Sequence, residues 1–373
     1  MTMKRLLLWL RQKYYRLRIG NALHRVHKRL MLRNHFDCTQ PVSGEKEWQR
    51  SFSIAGYQPS LIHYRLFSHY IGTDRRIVPE DVVRLFIEPT LNPGEFVSYY
   101  SDKNMFDKIF PAGFFPRTLI RKIRGAYYSK DYQPLSLTET GLSEALLGFG
   151  GNQIIVKPTV DTSSGRGVRL FHRDGGLWRE HGSGQPLTVE FLESHYGNDL
   201  IIQEGIRQSP YLSQFNPTSV NTIRLTVYRS VQDNRCHVTS GILRIGGRGS
   251  VVDNAHQGGC FFGLHLDGTL GKFGADQHGG VYKIFNGIDF ERGDWRLPDF
   301  EKVIHFAARV GNCVLHHRLL ALDIVMTEDN QPKLLEINVS GYSSWLFQFT
   351  IGPALGDYVD EIMDFCRRNP RGL

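Results

Sequence analysis

Residues 321–338 read ALDIVMTEDNQPKLLEIN. Two runs rich in apolar residues, Ala321–Thr327 and Lys333–Asn338, flank the polar stretch Glu328–Gln331, which is the pattern of a β-hairpin. A turn centred between Asp329 and Asn330 places Asp323 opposite Glu336. Asn338 lies two residues further along and shares the face of Glu336, because strand side chains alternate. Three oxygen-bearing side chains then gather on one face of a two-stranded ribbon. Carboxylates and an amide, with no Cys or His, suit a hard cation such as Mg²⁺. A hairpin with its polar face in water would look similar, and Pro332 leaves the register open.

Working outward, Asn152–Pro158 carries three apolar residues and then Lys157. This reads as a buried strand delivering an ammonium at its end. The next stretch holds Ser163, Ser164, Gly165 and Gly167. Small residues let backbone N–H groups wrap a phosphate, and the preceding lysine supplies a point charge. Neither a Walker A motif nor a dinucleotide fingerprint is present, and a plain glycine turn between two strands is the alternative. The apolar run Leu200–Ile202 becomes polar at Gln203 and Glu204, followed by Gly205. Alternation in Asn221–Tyr228 puts Thr222, Arg224 and Thr226 on one face. Arg244, Asn254, His256, Gly258 and Gly259 follow.

The order of these pieces, starting with Lys103 in a Ser-Asp-Lys helix start and ending with Asp323, Glu336 and Asn338, resembles the ATP-grasp superfamily. Biotin carboxylase and the glutamate ligases that modify protein ends are examples. Within it, residues from about 101 to 370 look most like the sugar-transfer associated ATP-grasp group, linked to bacterial surface-polysaccharide synthesis. The resemblance implies an α+β fold of two lobes with ATP between them. It implies that Lys157 and Lys103 contact the α- and β-phosphates, with Ser163, Ser164, Gly165 and Gly167 as a phosphate flap. Gln203, Glu204 and the backbone near Gly205 would hold adenine in the hinge. Asp323, Glu336 and Asn338 would bind one or two Mg²⁺. Arg224 and Arg244 would neutralise the γ-phosphate or an acyl phosphate, and Asn254 and His256 would face the reacting end. The implied activity is ADP-forming carboxylate–amine ligation through an acyl phosphate, with small-molecule carboxylate and amine or sugar substrates. A phosphotransferase, or a nucleotide-binding scaffold of a glycan-assembly complex, is the alternative. Gly341–Trp345 and residues 252–262 are the candidates for the carboxylate and amine sites, by position alone.

The remaining sequence sets the boundaries. Residues 1–36 read as a basic amphipathic helix, weakened at Gly20, with Ile19, Leu23, Val26 and Leu30 as its apolar stripe. Residues 37–100 look helical in short pieces, with Pro79-Glu80-Asp81 a helix start. Residues 101–373 would form the ATP-grasp domain, its lobes meeting near 205. Helices are expected at 101–110, 139–148, 187–196, 299–318 and 353–367, and hairpins turn at Asp174–Gly176 and Asp267–Thr269. The chain carries +8, yet residues 1–36 hold ten basic and no acidic side chains, leaving 35 basic and 37 acidic on the rest. That balance argues against a nucleic-acid partner for the body. The arm could instead lie on an anionic membrane, or pack on its own protein. Five scattered cysteines, without a Cys-x-x-Cys pair, suit a reducing cytoplasm. The apolar run Leu6–Leu10 is too short for a membrane span, so the expected site of action is cytoplasmic or peripheral to the inner face. Oligomeric state is not encoded legibly.

Overall fold

The structure, a computed structural model, describes residues 3–160, 165–249 and 258–369, with residues 3–10 and 12 described by backbone only. Its larger sheet has seven antiparallel strands in the spatial order Val281–Tyr282, Leu270–Ala275, Cys260–Leu264, Cys236–Ile245, Thr222–Arg229, Leu319–Met326 and Pro332–Asn338. The strands Thr222–Arg229 and Leu319–Met326 are buried at every residue. Both faces of the sheet must therefore be covered. Helix Phe300–Cys313 and the phenylalanines Phe106, Phe110 and Phe114 cover one face. The short helices of residues 45–91 and the C-terminal helix Val359–Arg368 cover much of the other.

The smaller sheet also has seven antiparallel strands: Pro134–Leu135, Ala126–Ser129, Thr118–Ile123, Leu200–Glu204, Gln153–Pro158, Arg169–Asp174 and Leu177–Glu180. Helices Glu139–Leu147 and Val189–His195 pack on one face through Leu142, Leu146, Phe191 and Leu192, against Ile154, Val156 and Phe171. The period of two then turns Gln153, Ile155 and Lys157 to the opposite face, where they line a cavity. The expected turn joins Asp174 to Leu177, with Gly175 and Gly176 both at positive φ, as a tight two-residue hairpin demands.

Four local expectations need correction. The N-terminal helix Met3–Arg33 runs unbroken through Gly20. A Cβ there would stand 2.5 Å from the Tyr57 hydroxyl, which donates to Asp81 Oδ2 at 2.7 Å, so the glycine admits a close contact. The docked stripe differs too. Ile19, Leu23 and Leu30 pack inward, but Val26 stays 40% exposed while His27 and Met31 are buried. His27 lies edge-on to the rings of His63 and Phe67, and burial with the charge of His63 holds it neutral. Reading histidine as polar hid this face. Third, helix Phe300–Cys313 stops short of 318, because Leu319 already begins a central strand. The expected 101–110 helix is likewise divided. Asp102 is extended, and its side chain accepts from Asn104 N to start a new turn at Lys103. Among the described residues, no helix is long and apolar enough to cross a membrane.

Candidate nucleotide and metal site

The hairpin pairs Asp323 with Glu336 and Ala321 with Asn338. From Ile324 onward the partner is Leu334, then Lys333 and Pro332, so Leu335 is an extra residue. The register inferred from the turn thus holds on the site's side of a bulge and is one residue off on the turn's side. Adjacent residues of a regular strand face opposite ways, but here Leu335 and Glu336 both line the same cavity of about 600 Å³. Leu335 was missed in the sequence. Its one signal was Pro332, which cannot donate to a ladder and marks irregular pairing.

Asp323 also pairs across the sheet with Arg224, and Thr222 with Arg244. Arg224 Nη1 lies 3.3 Å from both Asp323 oxygens, and Arg244 Nη1 lies 3.3 Å from Oδ2. Arg224 and Asp323 are 8% and 3% exposed. Charges in such surroundings need partners, and these strands supply them. Lys103 Nζ reaches Glu336 Oε1 at 3.0 Å. Burial alone would raise the Glu336 carboxyl, but Lys103, Arg224 and Lys157 together hold it below the usual carboxylate range. Lys157, from the smaller sheet, is pushed down to about 7 by burial and by Lys103, with Glu336 opposing. The cavity thus brings Asp323, Glu336 and Arg244 of the larger sheet together with Lys157 of the smaller and Lys103 from the turn between them and the helical layer.

Gln203, Glu204 and Gly205 are engaged with the protein. Gln203 Nε2 donates to Pro116 O at 3.1 Å and Thr118 Oγ1 at 3.3 Å. Glu204 accepts from Arg117 N at 2.9 Å and from Lys333 Nζ at 3.0 Å, tying the two sheets together. Gly205 N donates to Gln153 O at 2.9 Å. Both Gln203 and Glu204 still line the cavity, beside Ile155, Leu170, Ile206 and Leu335. These four half-buried apolar side chains give this cavity an apolar stretch beside its charged one. Gly165 lines the cavity as well, and Gly167 O accepts from the Tyr196 hydroxyl at 2.9 Å. Asn338 Nδ2 donates to Ala321 O at 3.3 Å. Ser163, Ser164, Asn254 and His256 lie outside the described residues.

Residues 85–363 match the sequence pattern of the sugar-transfer associated ATP-grasp family. The chain belongs to that family. Its fold, two antiparallel sheets with a cavity between them behind a helical N-terminal region, is the ATP-grasp fold. No curated protein matches the chain in sequence. Among solved structures it is similar to biotin carboxylase from Campylobacter jejuni, at 10% identity over 72% of this chain and 46% of that one, with a TM-score of 0.43. It is also similar to D-cycloserine synthetase, at 14% identity over 74% and 73%, TM-score 0.40. A third is D-alanine–D-alanine ligase from Bacillus anthracis, at 14% over 72% and 67%, TM-score 0.37. The chain spans about half the length of the biotin carboxylases it matches.

The helical layer, which straddles the start of the family match at residue 85, reaches the segment after Asn338 through Glu80, before that start, and Glu88, just after it. Glu88 Oε1 accepts from Tyr342 N at 3.1 Å, and Glu80 accepts from the Ser344 hydroxyl. Tyr342 Oη sits 2.8 Å from Thr226 Oγ1, on the strand face that carries Arg224. On either side of Tyr342, Gly341 and Ser343 take positive φ of 70° and 60°. A non-glycine residue keeps that conformation only where its surroundings hold it. The helical layer thus clamps the segment that follows Asn338. Glu80 and Glu88 were not singled out in the sequence as site residues, since a helix start was all that marked them.

Proposed function

We propose that this protein is an ATP- and Mg²⁺-dependent, ADP-forming carboxylate–amine ligase that modifies a sugar or glycan precursor. The observation that carries the reading is the opposition of Asp323 and Glu336 on one sheet face, in a cavity also lined by Lys103, Lys157 and Arg244, with Arg224 paired to Asp323 behind them. The sugar assignment rests on the family's description alone.

The donor set fits the metal. Asp323 and Glu336 offer hard oxygens, Asn338 sits beside them in register, and each carboxylate is already neutralised by a cation in the protein. Bound Mg²⁺ would supply Lewis-acid charge that draws phosphate oxygens together and withdraws electrons from the transferred phosphoryl group. Lys103 and Arg224 would pass from the carboxylates to phosphate oxygens. Lys157, pushed down to about 7 by burial, would gain its proton beside a polyanion. Ile155, Leu170, Ile206 and Leu335 would enclose the adenine.

In this reading a substrate carboxylate oxygen attacks the γ-phosphorus, the bond to the β-γ bridging oxygen breaks, and ADP departs. An amine nitrogen then attacks the acyl carbon, loses a proton, and phosphate leaves. The protein's task is positioning and charge stabilisation, and no nucleophilic side chain is needed. The test is ADP release against a panel of amino acids and uronic acids. Glu336→Ala is expected to lower release about 100-fold, the scale of losing one preorganised electrostatic group. Undiminished release would overturn the metal assignment. A phosphorylated product in place of an amide and free phosphate would reassign the protein as a phosphotransferase.

A further inference from the structure

The N-terminal helix Met3–Arg33 turns one face to the body and one to solvent. Leu23, His27 and Met31 are buried against the helical layer, and Arg16 lies 4.8 Å over the ring of Phe86. The outward face repeats arginine every seven residues, at Arg11, Arg18 and Arg25, all exposed. Seven residues are two helical turns, so these guanidinium groups form a row with steps of about 10 Å. Lys28 and Arg29 widen the row, and no acidic residue occurs in residues 1–36. Tyr14 and Leu32 lie along the same face, 68% and 57% exposed.

We propose that this outward face docks on an anionic lipid bilayer. A fixed basic row suits any polyanion, and the apolar company selects among them. Tyr14 and Leu32 stand beside the arginines, and the sequence of the same helix holds Leu6–Leu10, with Trp9, between basic pairs. Aromatic and aliphatic residues framed by Lys and Arg are the composition of the membrane interface, where a nucleic acid would favour polar partners. The docked stripe also sets the mode of attachment. Leu23, His27 and Met31 already bury their side chains on the protein, so the described part of the helix cannot roll its inner face into lipid. Its contribution is superficial, reversible and screened by salt. This inference does not depend on the ligase reading.

The experiment is sedimentation of the full chain with phosphatidylcholine vesicles, with and without about one third phosphatidylglycerol. Binding is expected to the anionic vesicles only, and to fall steeply as salt is raised. Arg18→Glu with Arg25→Glu should lower the partition coefficient by at least about 25-fold, since each basic residue near such a surface contributes about 5-fold. Tyr14→Ser with Leu32→Ser should lower it less. These side chains face solvent, so thermal unfolding and MgATP binding should stay as in the parent. Unchanged sedimentation of the charge-reversed chain would overturn the proposal. So would tighter binding of a short DNA duplex than of anionic vesicles at the same salt, which would assign the face to nucleic acid.

Discussion

The two sheets of this protein have the same number of strands and are covered to different extents. The larger is covered on both faces, and its strands Thr222–Arg229 and Leu319–Met326 are buried throughout. The smaller is buried at its central strands Thr118–Ile123 and Leu200–Glu204, but its outer strands Gln153–Pro158 and Arg169–Asp174 are half-buried or exposed at most positions. Arg224, Arg244, Asp323 and Glu336 all stand on the larger sheet, whereas the glycine stretch and Lys157 belong to the smaller. The division is physical. Charges held in a dry, doubly covered sheet keep their geometry without solvent reorganisation, which is the arrangement that stabilises developing charge best. A sheet lightly covered at its outer strands opens there at lower cost.

If that contrast is right, its most sensitive point is Asp323. Removing it by Asp323→Ala leaves the nearly buried Arg224 without the carboxylate it pairs with. Loss of one partner from a buried ion pair costs about 3 kcal/mol, so denaturant unfolding should report a loss of that order. Asp323→Asn, which keeps shape and one acceptor, should lose less. An unchanged midpoint would mean that the charged sheet is not the rigid half. A second, smaller effect belongs to the seam. A Cβ at Gly205 would stand 2.6 Å from Gln153 Cβ and 3.0 Å from its backbone carbon, so Gly205→Ala must push apart two adjacent strands of the smaller sheet. The expected cost is about 1–3 kcal/mol, together with weaker ATP binding measured by calorimetry. Retained affinity at unchanged stability would show that this sheet yields freely at the hinge.

The sequence carried these two halves unequally. The hairpin was legible down to the pairing of Asp323 with Glu336, because turn chemistry and a period of two fix a short-range register. The fragments Lys103, Lys157, Arg224 and Arg244 were legible as residues with charge to place. Their convergence was implied by the family resemblance alone, since it comes from strand order across two sheets that no local pattern encodes. Leu335 escaped because a bulge breaks the alternation on which the reading relied. His27 and Met31 escaped because a buried neutral imidazole looks polar in a sequence. Glu80 and Glu88 escaped because their partners, Ser344 and Tyr342, are more than 250 residues away.

Glu88 offers the finest measure of how tightly the helical layer grips the larger sheet. Burial pushes its carboxyl up to about 7, with the N–H of Tyr342 opposing and the charge of Glu80 adding. An unfolded glutamate titrates near 4.5. The folded state therefore binds the proton more readily than the unfolded one between about 4.5 and 7. The stability this contributes is fully present below the unfolded value and is lost as pH rises through the folded one. Unfolding free energy should accordingly fall from pH 5 to pH 8. Glu88→Gln, which cannot ionise and still offers an oxygen to Tyr342 N, should flatten that fall by about 1–2 kcal/mol, allowing for the partial exposure of the side chain. Parallel pH profiles for the parent and Glu88→Gln chains would show that this carboxyl is solvated. The clamp on Gly341–Ser344 would then be looser than the two-sided burial of the larger sheet implies.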